Sequence, residues 1–137
     1  MLAVGEFPAL EEPLLVLVIE DDQAVQGLVE EALGDAGFEP AIAASGEEAV
    51  TLLQGGQARY IALVTDIGLR GRMDGWEVGR QAREIDPGFP VVYMTGAHAD
   101  QWASQGVPNS VLLTKPFATA QLVTAVSQLL NAAPRAT

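Results

Sequence analysis

Cysteine is absent from this chain, and histidine and lysine occur once each, as His98 and Lys115. Without thiols there is neither a disulfide framework nor a thiolate metal site, and cysteine usage gives no reading of the redox compartment. A lone histidine excludes a metal site built from several imidazoles, so His98 reads as a surface or helix-start residue. Basic residues are scarce, seven against eighteen acids for a net charge of -11. That balance disfavours direct contact with nucleic acid or anionic lipid and favours cationic ligands or basic partner surfaces. No apolar run approaches the roughly 18 residues of a membrane-crossing helix. The opening MLAVGEFPALEEP also lacks a basic n-region and a long apolar h-region. The expected location is cytoplasmic, with no membrane partner.

What is present is enough apolar material for one domain: 137 residues, 49% of them hydrophobic. Strand-like runs stand at Leu14 to Ile19, Ile61 to Thr65, Pro90 to Met94 and Ser110 to Thr114, with a weaker one at Pro40 to Ala44. Between them the period changes to that of a helix. Val25, Leu28, Val29, Ala32, Leu33 and Ala36 share one helical face, closed by Gly34 or Gly37. Ser45 and Glu48 have capping-box spacing ahead of Ala49, Val50 and Leu53, and QGG stops that helix. Val78, Ala82 and Ile85 mark a third helix, a short and weakly patterned fourth lies around His98 to Gln105, and Leu122, Val126, Leu129 and Leu130 mark a fifth. Runs that are apolar throughout suit strands covered on both faces of a parallel sheet, so the five strand–helix alternations predict a doubly wound α/β domain. Residues 1–13 fall outside the pattern as an N-terminal extension, the domain occupies 14–131, and 132–137 form a tail.

Ligands of an open parallel sheet bind beyond the carboxyl ends of its strands. There this sequence places Glu20, Asp21 and Asp22 after the first strand, Asp66 after the third, Thr95 after the fourth and Lys115 after the fifth. Neighbouring strands lie about 4.8 Å apart, so adjacency of these four would bring the side chains within roughly 10 to 15 Å. Several carboxylates that close need compensation, and an oxygen-only donor set selects a hard cation such as Mg²⁺. Cation, ammonium and hydroxyl beside one further carboxylate suit phosphoryl chemistry with Asp66 as nucleophile. Taken singly the residues read more plainly: Asp22 as the cap of the first helix, Asp66 and Thr95 as turn residues, Lys115 as a solvated lysine.

At these motifs the chain resembles the receiver domains of two-component response regulators. The matching pieces are VIEDD, VTDIGL, MDGWE, YMTGA and LLTKPF, in order, and the likeness covers about Leu14 to Asn131. The resemblance implies a flavodoxin-like (βα)5 fold with strand order 2-1-3-4-5. It implies that Asp66 accepts a phosphoryl group from a histidine kinase or histidine phosphotransfer protein. Asp21 then matches a direct Mg²⁺ ligand, Glu20 an acid holding the metal mainly through water, and Gly68 a backbone-carbonyl ligand. Thr95 and Lys115 match the hydroxyl and ammonium that meet the phosphoryl group, and Lys115-Pro116 the family's cis bond. Output would pass to a downstream protein by protein contact, and a homodimer through the fourth helix, fifth strand and fifth helix is one form it could take.

Several positions depart from that family. Leu112 stands where an aromatic switch residue is usual, and Arg70 where a proline is common. The loop DIGLRGRMDG is one residue longer than the commonest spacing to Gly75, and Gly68 and Ala97 have no side chain able to orient an attacking water. Trp76 reads as core or groove packing, and Trp102 as a more exposed aromatic open to an interface role. The reading is a stand-alone receiver, with the receiver fragment of a hybrid histidine kinase and a partner-binding pseudo-receiver as alternatives. A haloacid-dehalogenase-type phosphatase would need a second Asp where Gly68 stands. A flavin-binding flavodoxin would need a phosphate-cradling loop where three acids stand.

Overall fold

A computed structural model describes residues 13–132, and the expected extension and tail lie outside the described residues except for positions 13 and 132. Five strands, β1 (Leu15–Ile19), β2 (Glu39–Ala43), β3 (Tyr60–Asp66), β4 (Val91–Thr95) and β5 (Val111–Thr114), form one sheet in the order β2-β1-β3-β4-β5. All four pairings are parallel. The helices are α1 (Gln23–Asp35), α2 (Gly46–Gly55), α3 (Gly75–Ile85), α4 (Trp102–Gln105) and α5 (Thr119–Ala132). A 3-10 turn at Ala99–Gln101 leads into α4, so the expected fourth helix is one α-turn behind a tighter one.

Alternation of side chains along each strand divides the core in two. Val16, Val18, Val64, Val92 and Met94 face α1 and α5 through Val29, Leu33, Leu122 and Val126. Leu17, Ile19, Leu63, Val91 and Tyr93 face the other way, onto Ala49 of α2 and Trp76, Val78 and Ala82 of α3. Each fully buried Val, Leu or Ile contributes roughly 1.5 to 3 kcal/mol of transfer free energy. Leu28 and Ile85, expected on apolar faces, are instead exposed. Leu28 lies on the rim of the α1 face whose centre is Val29, Ala32 and Leu33, and Ile85 is the last residue of α3 with no further turn to cover it.

Local sequence sets the helix starts. Asp22 accepts from the Ala24 and Val25 N–H groups at 2.9 and 3.3 Å, Ser45 Oγ from Glu48 N–H at 3.1 Å, and Asp74 from Glu77 N–H at 2.9 Å. The reciprocal half of the expected capping box differs: Glu48 accepts from Ala44 N–H at 2.6 Å, one residue before the cap. At the start of α3 the helix backbone presses on the end of β3. A Cβ on Gly75 would stand 2.1 Å from the Asp66 carbonyl oxygen, so only glycine fits.

Side chains of α3 hold the region around α4 from below. Trp76 Nε1 donates to Gln101 Oε1 at 3.2 Å, and Arg80 donates to the Gln105 carbonyl and side chain, both at 3.3 Å. Trp76 is buried and its ring lies 4.7 Å from that of Tyr93, as its core reading predicts. Tyr93 accepts at its hydroxyl from the Val107 N–H at 3.2 Å. Trp102 is 38% exposed, yet its indole N–H donates to Ser110 Oγ at 3.0 Å, tying α4 to the start of β5. Among the described residues no helix is long and apolar enough to cross a membrane.

Candidate functional site

Strand register brings the polar residues together. Ile19 pairs with Thr65, so Glu20 and Asp66 leave adjacent strands side by side, and Thr95 pairs with Thr114, which puts Lys115 next to the end of β4. The Lys115 N–H donates to the Thr95 carbonyl at 2.8 Å, and the Lys115-Pro116 bond is cis, as the resemblance implies.

The three acids after β1 have three different fates. Glu20 continues the strand inward and is 1% exposed, Asp21 is half-buried, and Asp22 turns outward as the α1 cap. Glu20, Asp21 and Asp66 each offer a carboxylate oxygen, and these oxygens all lie within 4.8 Å of one another. Lys115 Nζ donates to Glu20 Oε1 at 2.7 Å and lies 3.5 Å from Asp66 Oδ1, bridging the two carboxylates. The second Glu20 oxygen accepts from the Asp22 N–H at 3.1 Å, and Asp66 Oδ1 accepts from the Ile67 N–H at 2.9 Å.

Electrostatics follow from this crowding. Burial, then the negative charge of Glu20, pushes the Asp66 carboxyl above its ordinary range, against the pull of Lys115. For Lys115 burial works downward, but the Glu20 hydrogen bond and the nearby charges of Asp66 and Glu20 outweigh it and hold the ammonium above its ordinary value. A cluster of desolvated oxygen donors in need of positive charge is what a hard divalent cation neutralises, so this donor set fits Mg²⁺.

Thr95 is buried at the end of β4, and its hydroxyl oxygen accepts from the Ala97 and His98 N–H groups at 3.2 and 2.9 Å. The hydroxyl hydrogen is not used in those bonds. Gly68 is exposed on the loop after β3, where a Cβ would stand 3.9 Å from His98 Cε1. His98 opens the 3-10 turn without a side-chain capping bond, in keeping with a helix-start role. Leu112 is half-buried against the cluster that holds Trp76 and Tyr93.

One residue outside the expected site reaches it, and a second holds the loop that carries the first. Arg70 Nε lies 3.5 Å from Asp21 Oδ2. Glu47, at the start of α2, accepts from the Arg72 N–H at 2.8 Å and anchors the same loop. Arg70 stood out in sequence only as an arginine in place of a proline. Glu47 had no local signal, being 25 residues from its partner.

Comparison with known proteins agrees with this geometry. The family model described as "Response regulator receiver domain" matches residues 16–127. A response regulator receiver protein of Anaeromyxobacter sp. is 40% identical over 111 residues, covering 81% of this chain and 43% of the relative. The response regulator receiver protein CpdR of Brucella abortus is 33% identical over 120 residues, covering 86% of this chain and 98% of the relative. The chain thus spans less than half of the first relative's length and nearly all of the second's. A crystal structure of a response regulator receiver protein from Sinorhizobium medicae superposes with a TM-score of 0.85 at 48% identity, covering 88% of this chain and 97% of that one. With the strand order, the acidic cluster at the strand ends and the family match over residues 16–127 in agreement, the chain belongs to the response regulator receiver domains of two-component signalling.

Proposed function

We propose that the chain is a cytoplasmic phospho-accepting receiver in which Asp66 takes a phosphoryl group from a histidine kinase or histidine phosphotransfer protein in a Mg²⁺-dependent step. The observation that carries this reading is the convergence of Glu20, Asp21 and Asp66 within 4.8 Å, with Lys115 bridging Glu20 and Asp66. An Asp66 carboxylate oxygen attacks phosphorus in line, the new O–P bond forms as the donor's P–N bond breaks, and the leaving imidazole takes a proton. Glu20, Asp21, the Asp66 carboxylate and the Gly68 carbonyl would hold Mg²⁺, which supplies positive charge to the phosphoryl oxygens when bound. Lys115, within 3.5 Å of Asp66, supplies a second positive charge to those oxygens. Thr95 would donate its unused hydroxyl hydrogen to another phosphoryl oxygen, giving up the bonds from Ala97 and His98. Output then passes by contact to a downstream protein or a second copy.

The test is intact-protein mass after incubation with a small acyl phosphate and Mg²⁺, comparing the native chain with Asp66→Asn. One added phosphoryl group on the native chain alone, lost on chelation, is the expected result. No addition to a folded, Mg²⁺-binding chain would refute phosphotransfer and favour the partner-binding pseudo-receiver.

A further inference from the structure

The segment between β3 and α3 is fastened at both ends. Leu69 and Gly75 both donate their N–H groups to the Ile67 carbonyl, at 3.0 and 2.9 Å. In its middle, Gly71 has φ 97, a left-handed conformation that a side chain resists. A Cβ there would also stand 2.9 Å from Glu47 Oε1. Glu47 sits against this turn, accepting from the Arg72 N–H at 2.8 Å. That bond, then its own and the Met73 backbone N–H groups, hold its carboxyl below the usual range. The anchored turn carries Arg70 at its edge, with the guanidinium 3.5 Å from Asp21 although the side chain is 88% exposed. An arginine this exposed is positioned by its backbone and by charge, since little packing holds it.

We propose that Arg70 is a built-in counter-cation of the acidic pocket, presented to Asp21 by the loop that Glu47 and Gly71 shape, and that it competes with the divalent cation for that carboxylate. The inference rests on the Mg²⁺ reading above. Three clustered carboxylates face one internal ammonium, and Arg70 adds a second positive charge at the carboxylate that Lys115 does not touch. Arg70 therefore steadies the pocket without metal and raises the Mg²⁺ concentration at which the pocket fills. The consequence is a threshold for phosphotransfer, set by a residue that takes no part in the chemistry.

Calorimetric titration of metal-free protein with MgCl₂ tests this without reference to activity. Arg70→Ala should bind Mg²⁺ about two- to fivefold more tightly, the range an exposed ion pair supplies. Arg70→Lys should stay nearer the native value. Gly71→Ala changes no charge but displaces the turn, so it should also tighten binding, and should add nothing in the Arg70→Ala background. Arg72→Ala is the control for overall charge and should have a smaller effect than Arg70→Ala. Unchanged or weaker binding by Arg70→Ala, or equal tightening by Arg72→Ala, would overturn the inference while leaving the metal site intact. No Mg²⁺ binding by the native chain would overturn the metal reading itself, and this proposal with it. Because Arg70 is so exposed, loss of the fold would not account for the result.

Discussion

Replacing Lys115 by methionine removes the one ammonium that bridges Glu20 and Asp66 and keeps most of the side chain's apolar length. Glu20 is 1% exposed and would retain only the Asp22 N–H, at 3.1 Å, as a hydrogen-bond donor. Removing one partner of a buried ion pair costs about 3 to 5 kcal/mol. Here the Lys115 side chain is 23% exposed, so water reaches part of the vacated space and about 2 to 3 kcal/mol is expected. For a domain of this size that lowers Tm by roughly 6 to 15 °C. The assay is paired thermal and urea melts at pH 7 in a chelating buffer. Asp66 also makes the deficit depend on pH. Its carboxyl is raised by burial and by Glu20, so the stability that goes with its protonated form is present below the unfolded value and lost as pH rises through the folded one. Lys115 limits that loss in the native chain; without it the carboxyl rises further and the loss grows. The gap between variant and native should therefore be widest near neutrality and narrow as pH falls through the raised range of the Asp66 carboxyl. A methionine variant as stable as the native chain at pH 7, or a gap indifferent to acid, would refute this account of the pocket.

Three further predictions come from neighbouring structure. Gly79→Ala places a Cβ 2.2 Å from the Tyr93 hydroxyl oxygen, so urea melts should show a loss of about 1 to 3 kcal/mol from overpacking. Tyr93→Phe should cost about 1 to 2 kcal/mol through the buried Val107 N–H left without its acceptor, and the double variant should fall short of the sum because one oxygen is at issue in both. Asp66→Asn, which cannot carry the charge that burial and Glu20 oppose, should melt above the native chain at neutral pH without metal. That advantage should vanish below the ordinary carboxylate range, where both chains are neutral at this position; an advantage that persists there would assign it to packing.

The five strands were legible because a sheet covered on both faces needs unbroken apolar runs, and four of those runs end in Glu20, Asp66, Thr95 and Lys115 at the carboxyl edge of the sheet. The helices were legible from their period and from Asp22 and Ser45, which act on N–H groups two or three residues away. Rims and ends were less legible: Leu28 and Ile85 share the apolar pattern but not the burial, since a pattern does not say how far a neighbouring element extends.

Which of Glu20 and Asp21 goes inside was not written in the sequence, because both are carboxylates and differ chiefly in their angle to the end of β1, whereas Asp22 was legible as the α1 cap. The sequence by itself determined the element types, the doubly wound architecture and the residue types at the strand ends, because those depend on local periodicity and hydrogen bonding. Only the tertiary structure decided that Lys115 bridges Glu20 and Asp66, that Tyr93 accepts from Val107, and that Glu47 shapes the loop presenting Arg70 to Asp21. Those contacts join residues 14 to 95 positions apart, and their energies depend on distances that exist only once the sheet has aligned its strand ends.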